Sequence, residues 1–139
     1  LVVKIRYLFI ILIIILFALA LAGCNGTTDQ DINMQIIDAY YNIENIEDFN
    51  SNQINAVVKL KNIGGKGSFH LLFYKSIETS DGKELVKIAE SKTYTAEEDY
   101  ENTLNITLTI EDNLLAFDEV RVYSKSVGFT DTYNNVDSY

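Results

Sequence analysis

Over most of this chain polar and apolar residues alternate with a period of two. Ile54, Ala56, Val58 and Leu60 are interleaved with Asn55, Val57, Lys59 and Lys61, and Leu104, Ile106, Leu108 and Ile110 with Asn105, Thr107 and Thr109. Successive side chains of a strand point to opposite faces, so both runs predict half-buried strands with their aliphatic side inward. Phe69, Leu71 and Phe73 alternate with Ser68, His70, Leu72 and Tyr74, and Val120 and Val122 with Glu119, Arg121 and Tyr123. Weaker strands are expected over Met34 to Tyr41 and Leu85 to Thr93. The β-branched and aromatic content of these runs suits a pleated, half-buried surface. Asn62-Ile63-Gly64-Gly65-Lys66-Gly67 and Ser80-Asp81-Gly82-Lys83 separate strands, and Asp-Gly is a strong hairpin signal. Asn42 to Gln53 reads as a polar loop and Ala96 to Asn102 as an acidic connection. Between Glu111 and Asp118 a short turn would bring Leu114, Leu115 and Phe117 over one end of the core. Six or seven short strands at this spacing predict an all-β, antiparallel sandwich, with an OB-type barrel as the alternative.

The first 23 residues break this pattern. Lys4 and Arg6 precede an almost wholly apolar run, Tyr7 to Leu21, closed by the small residues Ala22 and Gly23 before Cys24. A basic start, an apolar middle and a small-residue end make a secretory signal, which would place a signal helix ahead of the sandwich. The run is at the short end for a membrane span, which needs roughly 20 apolar residues. Leu21-Ala22-Gly23-Cys24 resembles the prokaryotic lipobox. The resemblance implies cleavage between Gly23 and Cys24 and a diacylglyceryl thioether on Cys24, leaving it as the mature N-terminus. Two acyl chains anchor a protein stably, at about 0.8 kcal/mol per buried methylene, whereas one holds it only marginally. An uncleaved anchor with Cys24 as a spare thiol is the alternative. Both readings place the rest of the chain outside the membrane. Residues 24–31 are polar and aperiodic and read as a tether, residues 32–128 as the sandwich, and residues 129–139 as a tail or last edge strand.

Without residues 1–23 the remaining 116 residues carry nine Lys/Arg against twenty Asp/Glu. That length supports one domain with a core. The acidity argues against nucleic acid and against electrostatic attachment to anionic lipid. With Cys24 acylated, no thiol is left for a disulfide.

Val57 to Gly65, a strand ending in Asn62-x-Gly64, precedes Gly67 to Tyr74 and then Asp81-Gly82-Lys83. This order resembles the extracytoplasmic immunoglobulin-like modules of prokaryotes, of the cell-adhesion-related (CARDB) and FxLYD types. Asn102 to Ile110 corresponds to their later strand. Lys75 stands where the FxLYD pattern has Asp, and the chain lacks tryptophan and the sandwich disulfide. Such modules are mostly non-catalytic, so the resemblance supplies no active-site residues.

The residues give little chemistry. His70 is the sole histidine, no Gly-x-Ser-x-Gly elbow accompanies it, and it is expected as a surface histidine. One His and one Cys cannot make a zinc site. Glu97-Glu98-Asp99, Glu111-Asp112 and Asp118-Glu119 are acidic runs without the spacing of a calcium loop, and solvated loop charge is their default reading. Asn25-Gly26-Thr27 and Asn105-Ile106-Thr107 fit the glycosylation sequon. Leu72, Tyr74 and Tyr123 are expected on outward sheet faces, where tyrosine often serves recognition. The expectation is therefore a lipid-anchored, extracytoplasmic, non-catalytic binding or structural protein without a cofactor. Its partners would be the membrane, through the lipid on Cys24, and an envelope protein or polysaccharide. A solute- or calcium-binding lipoprotein using the acidic loops is the alternative, and a small hydrolase a remote one.

Overall fold

The computed structural model of the chain describes residues 30–42, 53–110 and 116–138. Within them lie nine strands: β1 (Met34–Asn42), β2 (Gln53–Asn62), β3 (Gly67–Thr79), β4 (Gly82–Glu90), β5 (Tyr94–Ala96), β6 (Glu101–Thr109), β7 (Glu119–Ser124), β8 (Gly128–Tyr133) and β9 (Asp137–Ser138). They form two sheets, β6-β2-β1-β9 and β4-β3-β7-β8, with β5 paired to β3. All pairings are antiparallel except β1 with β9. The orders match E-B-A and C′-C-F-G of an immunoglobulin-like sandwich. The strand in the D position, β5, pairs with β3 instead of β6. The fold is the all-β sandwich that the alternation predicts, as two separate sheets and not a closed barrel. It has more strands than the six or seven expected because two of them are only two and three residues long.

The inward positions interdigitate as one core. Ile54, Ala56, Val58 and Leu60 of β2 and Leu104, Ile106 and Leu108 of β6 face Phe69, Leu71 and Phe73 of β3 and Val120 and Val122 of β7. Phe117 caps the end of this core as expected, its ring 5.0 Å from Phe73 and 5.3 Å from Tyr41. Leu114, Leu115 and the 43–52 loop lie outside the described residues.

In β1 the alternation slips. Met34 and Ile36 are buried, Ile37 and Asp38 are exposed, and Ala39 is buried again. A β-bulge between Ile36 and Asp38 inserts one residue and reverses the facing of everything after it. The Ile36 amide, which ladder alternation points away from β2, is met by the Asp131 carboxylate of β8 at 2.7 Å. The Tyr133 hydroxyl donates to Asp38 Oδ1 at 3.1 Å. These two contacts join β1 to β8 along one side of the sandwich.

The end where β1 begins is tied together by Asn62, which is fully buried. Its Oδ1 accepts from the amides of Asn33 and Gly64, each at 3.1 Å. Its Nδ2 donates to the carbonyls of Gly65 and Glu97, each at 2.9 Å. Four backbone groups from three segments thus meet on one side chain. The segment entering β1 crosses so close to the 63–66 loop that a Cβ on Gly65 would stand 1.8 Å from the Gln30 carbonyl oxygen. Gly65 donates its amide to Asp31 at 3.0 Å. Asp31, expected in the tether, is therefore already docked. At the other terminus β8 starts at Gly128 and β9 ends at Ser138, so the tail supplies two further strands.

Candidate functional site

The outward positions of the β4-β3-β7-β8 sheet carry the densest polar and aromatic chemistry among the described residues. On β3 these are His70, Leu72 and Tyr74, and on β7 Glu119, Arg121 and Tyr123. The register sets them side by side: His70 opposite Tyr123, Leu72 opposite Arg121 and Tyr74 opposite Glu119. Arg121 is the hub. Its guanidinium carbon lies 4.4 Å from the ring centroid of Tyr74 and 5.6 Å from that of Phe129 on β8. Its Nε donates to Glu119 Oε2 at 2.6 Å. Glu119 and Arg121 are two apart on one strand, hence on one face. The Arg side chain is thus held both by its partner carboxylate and by the electron-rich faces of two rings.

The row continues past Phe129. Its ring meets Tyr123 edge-on at 5.2 Å, and Tyr123 in turn lies 5.2 Å from the His70 ring. His70 Nε2 stands 3.1 Å from Glu90 Oε1, and Lys87 Nζ lies 3.2 Å from the other oxygen of Glu90. A chain of contacts thus crosses the sheet from Tyr74 to Lys87. Phe129 is its most exposed member, 54% accessible. That exposure costs hydration free energy that burial against a partner would recover.

The three sequence-predicted surface residues fare differently. Tyr74 and Tyr123 are half-buried within this row. Leu72 points away from the core, alternating with Leu71 and Phe73, but it is only 8% exposed and offers a partner little surface. The reason is its position: Arg121 and Glu90 flank it across the ladder, and His70 and Tyr74 stand on either side of it along β3. Arg121 and Phe129 were not singled out from the sequence. Arg121 read as one polar position of an alternating strand, and Phe129 fell in the fading tail. Cross-strand register, which sequence alternation does not carry, is what brings them together.

At the Asn62 end the loops enclose an open cleft of about 900 Å³ whose rim includes Asp31, Ile63, Lys66, Glu98, Asp99 and Lys125. Charges of both signs share this rim. Lys66 pairs with Glu97 at 2.8 Å, and the hydrogen bond to that carboxylate raises the lysine pKa above its ordinary value. Of the acidic runs, Asp118 accepts the Ser76 amide at 2.8 Å and Glu119 holds Arg121, while Glu111-Asp112 lies outside the described residues. No group of three or more His, Cys, Asp or Glu side chains converges as a metal site among the described residues. Asn105 is exposed on β6. Gly23, Cys24 and Asn25 lie outside the described residues.

No protein-family model matches the chain, and no curated protein matches it. Among solved structures, a beta-glucosidase from Listeria innocua in complex with glucose aligns with 79% of this chain at 16% identity and a TM-score of 0.38. The same enzyme in complex with isofagomine aligns with a TM-score of 0.37. The chain spans 16% of that enzyme's length, and a likeness at this level carries no argument about activity.

Proposed function

We propose that this chain is a lipid-anchored module of the cell envelope, non-catalytic, held at the outer face of the membrane through Cys24. It binds an envelope protein or polysaccharide through the outer face of the β4-β3-β7-β8 sheet. The observation that carries the binding assignment is the cross-strand row Tyr74–Arg121–Phe129–Tyr123–His70, with Phe129 open to solvent. Aromatic residues and Arg are the types enriched in recognition surfaces, because they offer large contact area with polar edges.

The anchor supports the choice of this face over the loop-end cleft. Six Cα-to-Cα steps lead from Cys24 to Gln30, the first described residue of the segment entering β1. Fully extended, they reach about 20 Å. Lipid on Cys24 would therefore hold the cleft, which Gln30 borders, close to the headgroups. The sheet faces would stand clear of the membrane. The test of the anchor is incorporation of labelled fatty acid and membrane retention in the parent and in Cys24→Ala. Loss of both in the variant is expected; unchanged lipid labelling would overturn the assignment.

A further inference from the structure

The sheets end on four strands, and three of these edges are defended against pairing. The β4 edge carries Lys83, Glu84, Lys87 and Glu90 and a bulge opposite Phe73 and Tyr74. The β8 edge is six residues long, bulged, and bound to β1 through Asp131 and Tyr133. The β9 edge is two residues long. Charge, bulges, shortness and cover are the usual protections of a sheet edge. Among the described residues β6 has the least of them: nine residues with Glu101 at its start as the one charge, no proline, no lysine, no covering strand, and an unbroken register against β2 from Lys61↔Glu101 to Gln53↔Thr109. β5, the strand in the D position, is engaged with β3.

The open hydrogen-bonding groups of β6 can be assigned. Asn62 donates its amide to Tyr100 O at 2.7 Å, in line with the β2–β6 ladder. In an antiparallel pair the bonded residues alternate, so the even-numbered residues of β6 bond β2 and the odd-numbered ones point away. The Thr103 amide is closed by the Asn102 side chain at 2.9 Å. The amides and carbonyls of Asn105, Thr107 and Thr109 have no backbone partner among the described residues. The inward side chains at this edge are also less covered than those on β2: Leu104 and Ile106 keep 9% and 8% exposure, while Ala56, Val58 and Leu60 keep none.

We infer that β6 is an interface for a second copy of this chain, pairing antiparallel with its own equivalent to make one continuous sheet across the dimer. Charge selects this occupant. The chain has a net charge of −9, so two copies repel wherever acidic surface meets acidic surface. Residues 102–110, Asn-Thr-Leu-Asn-Ile-Thr-Leu-Thr-Ile, are uncharged throughout. A two-fold axis through Asn105 sets Thr103 opposite Thr107 and Glu101 opposite Thr109, so no like charges face each other within β6. The same axis sets Leu104 beside Ile106 of the other copy and extends the aliphatic layer across the join. A closed two-fold uses both open edges and leaves none to propagate. The inference rests on the fold alone and holds whether or not Cys24 is acylated.

The test is disulfide trapping in the full chain in detergent. Directly opposed residues of a hydrogen-bonded antiparallel pair have Cα atoms about 5.5 Å apart, which is disulfide geometry. Asn105→Cys should cross-link under mild oxidation to a band of twice the monomer mass that reduction removes. Ser80→Cys, on the exposed β3–β4 hairpin, and the parent, whose sole cysteine is Cys24, set the background. In sedimentation the parent should have the protein mass of two chains and Asn105→Lys that of one, with unchanged circular dichroism. No cross-link above background at 105, or a dimer that survives Asn105→Lys, would overturn self-pairing. So would a parent that stays monomeric, as expected of an edge reserved for an extended segment of another protein.

Discussion

Replacing Asn62 with alanine removes one side chain and strands four backbone groups. The Asn33 and Gly64 amides lose their acceptor, and the Gly65 and Glu97 carbonyls lose their donor. The bond to Gly65 is buried and the other three are partly buried. A buried group left unsatisfied costs about 1–3 kcal/mol, and a bond whose partner can recover water about 0.5–1.5 kcal/mol. Those figures together place Asn62→Ala near 3–5 kcal/mol, a large share of the roughly 5–15 kcal/mol that holds a domain folded. With a urea slope of about 2 kcal/mol per molar, the midpoint should fall by roughly 2 M. Circular dichroism in urea measures it. Asn62→Asp separates hydrogen bonding from packing, because it keeps the volume and the two acceptances but turns the donor into an oxygen facing two carbonyls. Burial and those carbonyls oppose its charge, so its folded pKa should lie above the unfolded value of about 3.9. Stability should then be lost as pH rises from below 4 and be least at neutral pH. A cost under about 1 kcal/mol for Asn62→Ala, or Asn62→Asp as stable as the parent at pH 7, would refute the reasoning.

Gly65→Ala should destabilise by about 1–3 kcal/mol, because the atom 1.8 Å from the new Cβ is backbone and cannot swing aside; faster amide exchange at Gly65 and Ile63 would report the displaced 30–33 segment. Arg121→Ala should cost about 1–2 kcal/mol in thermal or urea unfolding, from the stacked Tyr74 and Phe129 rings and the Glu119 pair. Arg121→Lys should recover only part of it, lacking the planar group. Desolvation raises the pKa of Tyr94 and of Tyr133, with Tyr100 adding to the first and the hydrogen bond to Asp38 to the second. A raised folded pKa means stability fully present below the unfolded value of about 10 and lost as pH rises through the folded one. Stability against pH should therefore decline above 10, less steeply in Tyr133→Phe.

Much of the fold was legible because alternation reports burial directly. Leu104, Ile106 and Leu108, and Phe69, Leu71 and Phe73, face the core as their period required. The hairpin at Gly82, with its φ of +122°, and the turn before β3 were written in turn chemistry. The bulge in β1 was not legible, since Ile36-Ile37 shows no local sign of which isoleucine turns outward. β8 was legible only as a tail or last edge strand because Thr130 and Asp131 interrupt its alternation: its bulge and its carboxylate serve β1 and the sheet side, not a local pattern. Asn62 read as part of a turn, although its four bonds are non-local as well as local. The aromatic and arginine row on the outer sheet face was half visible. Tyr74 and Tyr123 stood out by type, while Arg121 and Phe129 joined them only through pairing register, and that same register covers Leu72.

The most direct test of the binding face is photo-cross-linking in native envelopes. A photoreactive phenylalanine analogue is placed at Phe129, or at exposed Gln35 on the outer face of the other sheet. Adducts to an envelope protein or polysaccharide from position 129, with none from position 35, are the predicted result. Adducts from position 35 with none from position 129 would contradict it.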